Sequence, residues 1–270
     1  MHFPAAITDM PVAEWASAAN TRHSVRTFTG RPVEAETLAA LHDQCARLPG
    51  QSVARVVVVD KAPSGLFTGL VGSYGRVVGA NSALLVIGKP SERAVQESMG
   101  YLGEAVLLQA TTLGLGTCWI AGSFDRSIAF QSGDIGSDEQ IFAVSPLGYA
   151  EERPRPGERL LKAMVRAKHR RPIAEVAPGF DAERWPDWAA EGVRLARIAP
   201  SAVNRQPWRF DLEPGSVVVS VVTKGVEGSI SRLLDVGIAM LHFEVGARLM
   251  GASGTWQLLE LPRVAQYHSS

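Results

Sequence analysis

Apolar and polar positions change period several times along the chain, and each change marks an element. Residues 10–20 read as a short helix that runs into a basic stretch, "RHSVRTF" (Arg22 to Phe28). "PVEAETLAALHDQCARL" carries Leu38, Leu41, Cys45 and Leu48 at helical spacing after an early Pro32. "VARVVVVD" and "SALLVIG" are unbroken apolar runs rich in branched side chains, the pattern of buried strands. "SERAVQESMGYLGEAVLLQATTLGLG" predicts a long helix, apolar on nearly all faces from Tyr101 to Leu113, which calls for a central position. "LGLG" stops it, "TCWIAGSFD" follows as a loop, and "QIFAVSPLGYA" reads as a strand and turn. Further on come a helix in "PDWAAEGVRLARI", a strand in "GSVVVSVVT" and a second long helix in "SRLLDVGIAMLHFEVGARLMGASG". The tail "VAQYHSS" is expected to be loose.

The two long helices overlay without a gap, Gly100 to Trp119 on Gly237 to Trp256. Only four of the twenty positions are identical, but two Gly and the Trp among them mark the helix start, its stop and the loop beyond. Each helix also follows a Val-rich strand, and each strand follows an amphipathic helix. The pattern predicts a diverged internal repeat, roughly 12–150 and 172–257, against the alternative that two buried helices merely look alike. Between the halves, "AEERPRPGERLLKAMVRAKHRRP" is charged and interrupted by Pro, as a linker would be. The expected division is a first half at 1–150, a basic linker at 151–171 and a shortened second half at 172–270.

Composition narrows the functional classes. Lys+Arg and Asp+Glu both number 27, so no net field draws the chain to nucleic acid or an anionic membrane. With 46% apolar and 20% charged residues the composition is globular. Two cysteines, Cys45 and Cys118, are too few for a disulfide framework and suit a reducing compartment. No basic start followed by an apolar core opens the sequence, so no signal peptide is expected, and a soluble cytoplasmic protein is. The six His show no metal-ligand spacing, and neither GxGxxG, GxxxxGK[ST] nor GxSxG occurs.

Several short stretches bear on chemistry. Arg22, Ser24 and Arg26 alternate, and two guanidiniums with a hydroxyl can surround an anion, although alone the string reads as a solvated basic turn. "KHRRP" (Lys168 to Pro172) is a second basic cluster, alone a surface charge run. In "CWIAGSF", Ala121 and Gly122 would let a backbone N–H approach a planar ligand, although an ordinary loop accounts for them as well. The Gly-rich stretch 61–80, with Tyr74 and Arg76, is a surface loop or the mouth of a site. "APSAVNRQPWRF" (199–210) is harder to explain blandly. Pro200 and Pro207 stiffen it, Ser201, Asn204 and Gln206 supply side-chain hydrogen bonds, and Trp208 and Phe210 can anchor it on the core. A rigid polar loop held by aromatics suits the rim of a ligand site.

In their order along the chain, "RHSVRTF", "LGLGTCWIAGSF", "SPLGY", "KHRRP" and "APSAVNRQPWRF" resemble the FMN-dependent nitroreductase family. The resemblance implies an α+β, three-layer sandwich with a mixed sheet and central long helices, and FMN held where two subunits intertwine. It assigns the FMN phosphate to Arg22 and Ser24, with His23 between them, and to the later basic pair Lys168 and Arg170. Arg26 matches the residue near flavin N1 and O2, Ala121 and Gly122 the loop whose N–H meets N5, and Pro200, Ser201 and Asn204 the loop from the partner subunit. In ordinary members that last loop follows the first basic motif by a few tens of residues. Here the corresponding first-half place reads "ARLPGQSVARVVVV", and the second half opens with "RRPIAEV" in place of Arg-x-Ser-x-Arg. Each half keeps what the other has lost. The expectation is therefore a monomeric single-chain pseudo-dimer with one FMN, passing hydride from NADH or NADPH to a small acceptor such as a nitroaromatic or quinone. No catalytic side chain and no metal are assigned. The alternative is a protein that binds or sequesters flavin with little turnover.

Overall fold

The computed structural model describes residues 7–50, 52–67, 76–151, 169–222 and 230–269. The first half of the chain forms α1 (Val12–Thr21), α2 (Ala35–Arg47), β1 (Ala54–Val59), β2 (Ser82–Gly88), α3 (Val95–Thr112), β3 (Gly116–Thr117), α4 (Arg126–Gln131) and β4 (Gln140–Gly148). The second forms α5 (Ile173–Val176), α6 (Asp187–Arg197), a 3-10 turn (Ala202–Asn204), β5 (Trp208–Glu213), β6 (Ser216–Val221), α7 (Arg232–Leu249), β7 (Gly254–Leu258) and β8 (Arg263–Ser269). The architecture is α+β, with α3 and α7 between two four-stranded sheets.

The expected mixed sheet resolves into two separate sheets whose strands all pair antiparallel, β1-β2-β4-β3 and β5-β6-β8-β7. Parallel pairing, among the described residues, is confined to single bridges of Ser24 with Thr117 and Thr27 with Val78. The two strand orders correspond, and each sheet has a register shift on its second strand, at Val86/Ile87 and at Val219/Ser220. The tail is not loose: Arg263–Ser269 is an interior strand of its sheet, with Val264, Ala265 and Tyr267 buried. "WRFDLE", taken only as an anchor for the preceding loop, is a full edge strand with Trp208 and Phe210 buried.

Both long helices are buried almost throughout, as their apolar faces require. They cross where neither carries a side chain. A Cβ on Gly100 would overlap the Leu234 carbonyl oxygen, and one on Gly237 would overlap the Glu97 carbonyl oxygen. Leu234 stands to Gly237 in sequence as Glu97 stands to Gly100, so the contact is reciprocal. Beyond the crossing, Phe243 of α7 stacks on Phe210 at 5.5 Å and meets Trp256 and Tyr267 edge-on at 5.5 and 5.4 Å. One apolar cluster runs through both sheets and both long helices, from Leu84 and Leu107 to Val219 and Tyr267.

Neither glycine tolerates a methyl group without backbone movement. Gly237→Ala should destabilise the fold by at least the ~1–3 kcal/mol typical of overpacking, read as a lowered urea midpoint at unchanged slope. Gly114→Ala meets no neighbouring atom but strains a positive φ of 78°, so its cost should stay near ~1 kcal/mol.

Candidate functional site

The first basic motif leaves the end of α1 and lies against β3. Val25 N donates to the Thr117 carbonyl at 2.8 Å, and Val78 N donates to the Arg26 carbonyl at 2.9 Å. This lateral pairing sets Arg22, Ser24 and Arg26 beside the segment that leads through Trp119 to Ala121 and Gly122. His23 points away: it is exposed, and its Nδ1 faces only the Thr21 carbonyl at 3.4 Å.

Beneath the motif is a buried acid that the sequence reading passed over. Glu104 of α3 is fully buried. Its Oε2 accepts from Trp119 Nε1 at 2.6 Å, and its Oε1 lies 2.9 Å from His242 Nε2 and 3.5 Å from Arg22 Nε. Burial alone would raise the Glu104 pKa, but the His242 hydrogen bond, joined by the Arg22 charge, outweighs it and holds the carboxyl below its ordinary value. Arg22 Nη1 remains buried without a partner among the described residues, as does Thr117 Oγ1 next to the Ser24 bridge.

The second motif folds into a tight loop. Val203, Asn204 and Gln206 have φ of 46°, 55° and 47°, in the left-handed region that a β-branched residue such as Val203 rarely enters. The surroundings hold them there. Gln206 N donates to Ser201 Oγ at 2.9 Å, and Gln206 Nε2 donates to the His169 carbonyl at 3.1 Å. Gln206 Oε1 accepts from Arg171 N at 2.9 Å. From α7, the carboxylate of Asp235 accepts from Ala202 N at 3.0 Å and Arg205 Nε at 2.6 Å. Burial drives the Asp235 pKa up to about 6, with the Arg205 charge and the Ala202 N–H offsetting only part of it.

Arg170 joins this loop to the first motif. Its Nη1 donates to Asn204 Oδ1 at 2.6 Å and its Nη2 to the Ile198 carbonyl at 3.0 Å. Its pKa is lowered by burial first and then by the positive charges of Arg22 and Arg197. The structure therefore gathers Arg22, Ser24, Arg170, Ser201 and Asn204, with half-buried Pro200 at the loop's root; the half-buried Ala121 and exposed Gly122 follow shortly after Trp119, which Glu104 holds. Lys168 and Tyr74 lie outside the described residues. Arg76 lines a cavity of about 460 Å³ with Ala62, Phe67 and Asn81, and among the described residues none of the predicted cofactor residues borders it.

Arg22 stands against the buried Glu104 carboxylate, the charges of Arg22 and Arg197 act on Arg170, and one buried Arg22 N–H has no partner among the described residues, an arrangement suited to an added anion. The family model described as "Putative TM nitroreductase" matches residues 14–247. The chain belongs to this nitroreductase family. A Thermotoga maritima protein of the same description has the same fold over 94% of this chain and 93% of its own, at 20% identity and a TM-score of 0.63. Nitroreductases solved with bound FMN from Bacteroides fragilis and Desulfitobacterium hafniense align with 53% of this nitroreductase-family chain. Both are 18% identical to it, with 91% and 92% of their own chains covered and TM-scores of 0.42 and 0.43. No curated protein matches the chain. Among the described residues, no helix is long and apolar enough to cross a membrane.

Glu104, His242 and Asp235 were missed because each stands alone in an apolar run. That isolation is itself a signal, since an acid within "YLGEAVLLQ" or "RLLDVGIAM" must find a buried partner.

The Asp235 carboxyl titrates higher folded than its ordinary 3.8, so its stabilising increment is fully present below that value and lost as pH rises through about 6. Urea melts of Asp235→Asn beside the unaltered protein should therefore show the difference moving in favour of the unaltered protein as pH falls from 7 to about 4. The expected span is ~2–3 kcal/mol, at ~1.4 kcal/mol per pKa unit.

Proposed function

We propose that the protein is an FMN-dependent oxidoreductase that takes hydride from NADH or NADPH and passes it to a small oxidised acceptor such as a nitroaromatic or quinone. A single observation carries this reading: the buried Nη1 of Arg22, without a partner among the described residues, beside Arg170, where the motifs of the two halves meet. A phosphate monoester dianion supplies the missing acceptor and relieves the repulsion among Arg22, Arg170 and Arg197. Family membership and the FMN bound to the Bacteroides and Desulfitobacterium nitroreductases support the choice of ligand.

In this reading Arg22, Ser24, Lys168 and Arg170 hold the phosphate, with His23 alongside. When bound, FMN supplies the two-electron relay between nicotinamide and acceptor. Arg26 stabilises negative charge at the N1/O2 edge of the isoalloxazine. The backbone at Ala121 and Gly122 orients the N5 edge, and Pro200, Ser201 and Asn204 close the site from the second half. Asn204 acts through Arg170 as well as by contact, since its carbonyl already accepts from that guanidinium. No side chain is assigned a proton transfer.

We further propose that the chain is a monomeric pseudo-dimer, with halves at 1–150 and 172–270 joined by the linker 151–171, working in the cytoplasm. The corresponding strand orders and the reciprocal Gly100–Gly237 crossing support the repeat. Because only the first half carries Arg-x-Ser-x-Arg and only the second carries Pro-Ser-x-x-Asn, one site is complete.

Purified protein should be yellow, release one FMN per chain on heating, and bleach rapidly when NADPH or NADH is added without oxygen. Two FMN per chain would overturn the single-site reading. A yellow protein that stays unbleached would indicate flavin storage, and a colourless protein that FMN cannot reload would remove the flavin assignment. Arg22→Ala should mainly weaken FMN retention, whereas Arg26→Ala should mainly slow flavin reduction, measured by stopped-flow absorbance. Equal effects on both observables would count against these roles.

A further inference from the structure

Two of the three partners of Glu104, Arg22 and Trp119, stand in segments that carry part of the proposed cofactor site. Arg22 opens the phosphate motif. Trp119 comes just before Ala121 and Gly122. His242 belongs to α7, and its second ring nitrogen lies 3.3 Å from the Leu195 carbonyl, shortly before the Ile198 carbonyl that receives Arg170. We infer that Glu104 is a positioning residue for the cofactor: its carboxylate fixes the Arg22 guanidinium and the Trp119 ring together, so that one buried charge sets both the phosphate end and the N5 end of the site. This rests on the FMN reading above.

Coulomb's law alone argues against a carboxylate in this place. A negative charge 3.5 Å from Arg22 weakens the attraction of that guanidinium for a phosphate. What Glu104 contributes is direction. It stands 3.5 Å from Nε, an ion pair that holds that edge of the guanidinium toward the carboxylate, while Nη1 is left buried with no partner among the described residues. Through its other oxygen it ties down Trp119, whose ring lies against Gly103 so closely that a Cβ there would meet Trp119 Cζ2 at 3.0 Å.

The arrangement is also one-sided. In the register that overlays Gly100 on Gly237, Glu104 falls on Leu241 and His242 falls on Ala105. The Glu104–His242 pair therefore has an apolar counterpart where the flavin motif has been lost. A carboxylate needed only to join the two long helices would have no reason to follow the motif. Another buried acid of the core, Glu244, shows the contrast. It accepts from Tyr101 Oη at 2.7 Å and Arg248 Nε at 2.9 Å, and neither partner belongs to a cofactor motif.

The test titrates apoprotein with FMN and with riboflavin, which lacks the phosphate, following quenching of flavin fluorescence. Glu104→Gln should weaken FMN binding about tenfold although it leaves the site more positive, and should lower the preference for FMN over riboflavin at least ~5-fold. In an Arg22→Ala background the same substitution should leave that preference unchanged, because no guanidinium remains to be aimed. Trp119→Phe, which removes the indole N–H together with part of the ring that packs on Gly103, should weaken both flavins alike by ~3-fold or more. FMN binding by Glu104→Gln as tight as, or tighter than, that of the unaltered protein would show that Glu104 only balances charge, and would overturn the inference. If circular dichroism shows Glu104→Gln unfolded, Trp119→Phe decides, and unaltered binding of both flavins by that variant overturns it. Unaltered protein that binds neither flavin removes the FMN reading, and this inference with it, whereas binding by that protein together with insensitive variants removes the inference alone.

Discussion

The backbone-to-backbone crossing of the two long helices is the contact on which the remaining structure depends. With no side chain at Gly100 or Gly237, α3 and α7 approach until each glycine touches the other helix's carbonyl. That closeness brings His242 within hydrogen-bonding distance of Glu104, and Tyr101 within reach of Glu244. It also sets the spacing of the two sheets, since each packs on its own long helix. Helices held apart by ordinary side chains would break both of these contacts, taking its carboxylate acceptor from the buried Tyr101 hydroxyl and leaving Glu104 and Glu244 to their remaining partners.

Around that crossing the chain distributes buried charge unevenly. One half of the interface is apolar packing, dominated by Phe243 and its aromatic neighbours. The other sets Glu104 against His242 and Arg22, with Arg170 close enough to Arg22 and Arg197 for their charges to act on it. Buried ion pairs are a weak source of stability, because desolvation consumes most of the Coulomb gain. Buried pairs also stand elsewhere, between Arg248 and Glu244 and between Arg205 and Asp235, so what distinguishes the Glu104 group is its contact with the first basic motif through Arg22.

Much of this was legible in the sequence, and the exceptions have physical causes. The long helices announced themselves because an apolar run with no polar face has only one place to go. β1, β2, β4 and β6 followed from unbroken branched runs. The tail strand did not, because "RVAQYHS" carries polar residues at several of its positions and is held by pairing with β6 and β7, a nonlocal effect. β5 was obscured by the loop motif it continues. Separate antiparallel sheets replaced the expected mixed one because strand direction depends on connections that no local pattern records. For the site, the motifs marked Arg22, Ser24, Arg170 and Asn204, and the structure brings them together across the chain. Glu104 and Asp235 escaped because a lone acid in an apolar helix has no local motif to belong to, and its partners arrive from distant elements.

The loop at 201–206 has a consequence for the timing of recognition. Its left-handed residues are held by hydrogen bonds from within the protein, through Gln206 on the loop itself and Asp235 of α7. The entropy of ordering that segment is thus charged to folding. A molecule arriving at Asn204 meets a surface that needs no rearrangement, so capture there is governed by the frequency and orientation of collisions, and a bound molecule departs without first waiting for the loop to melt.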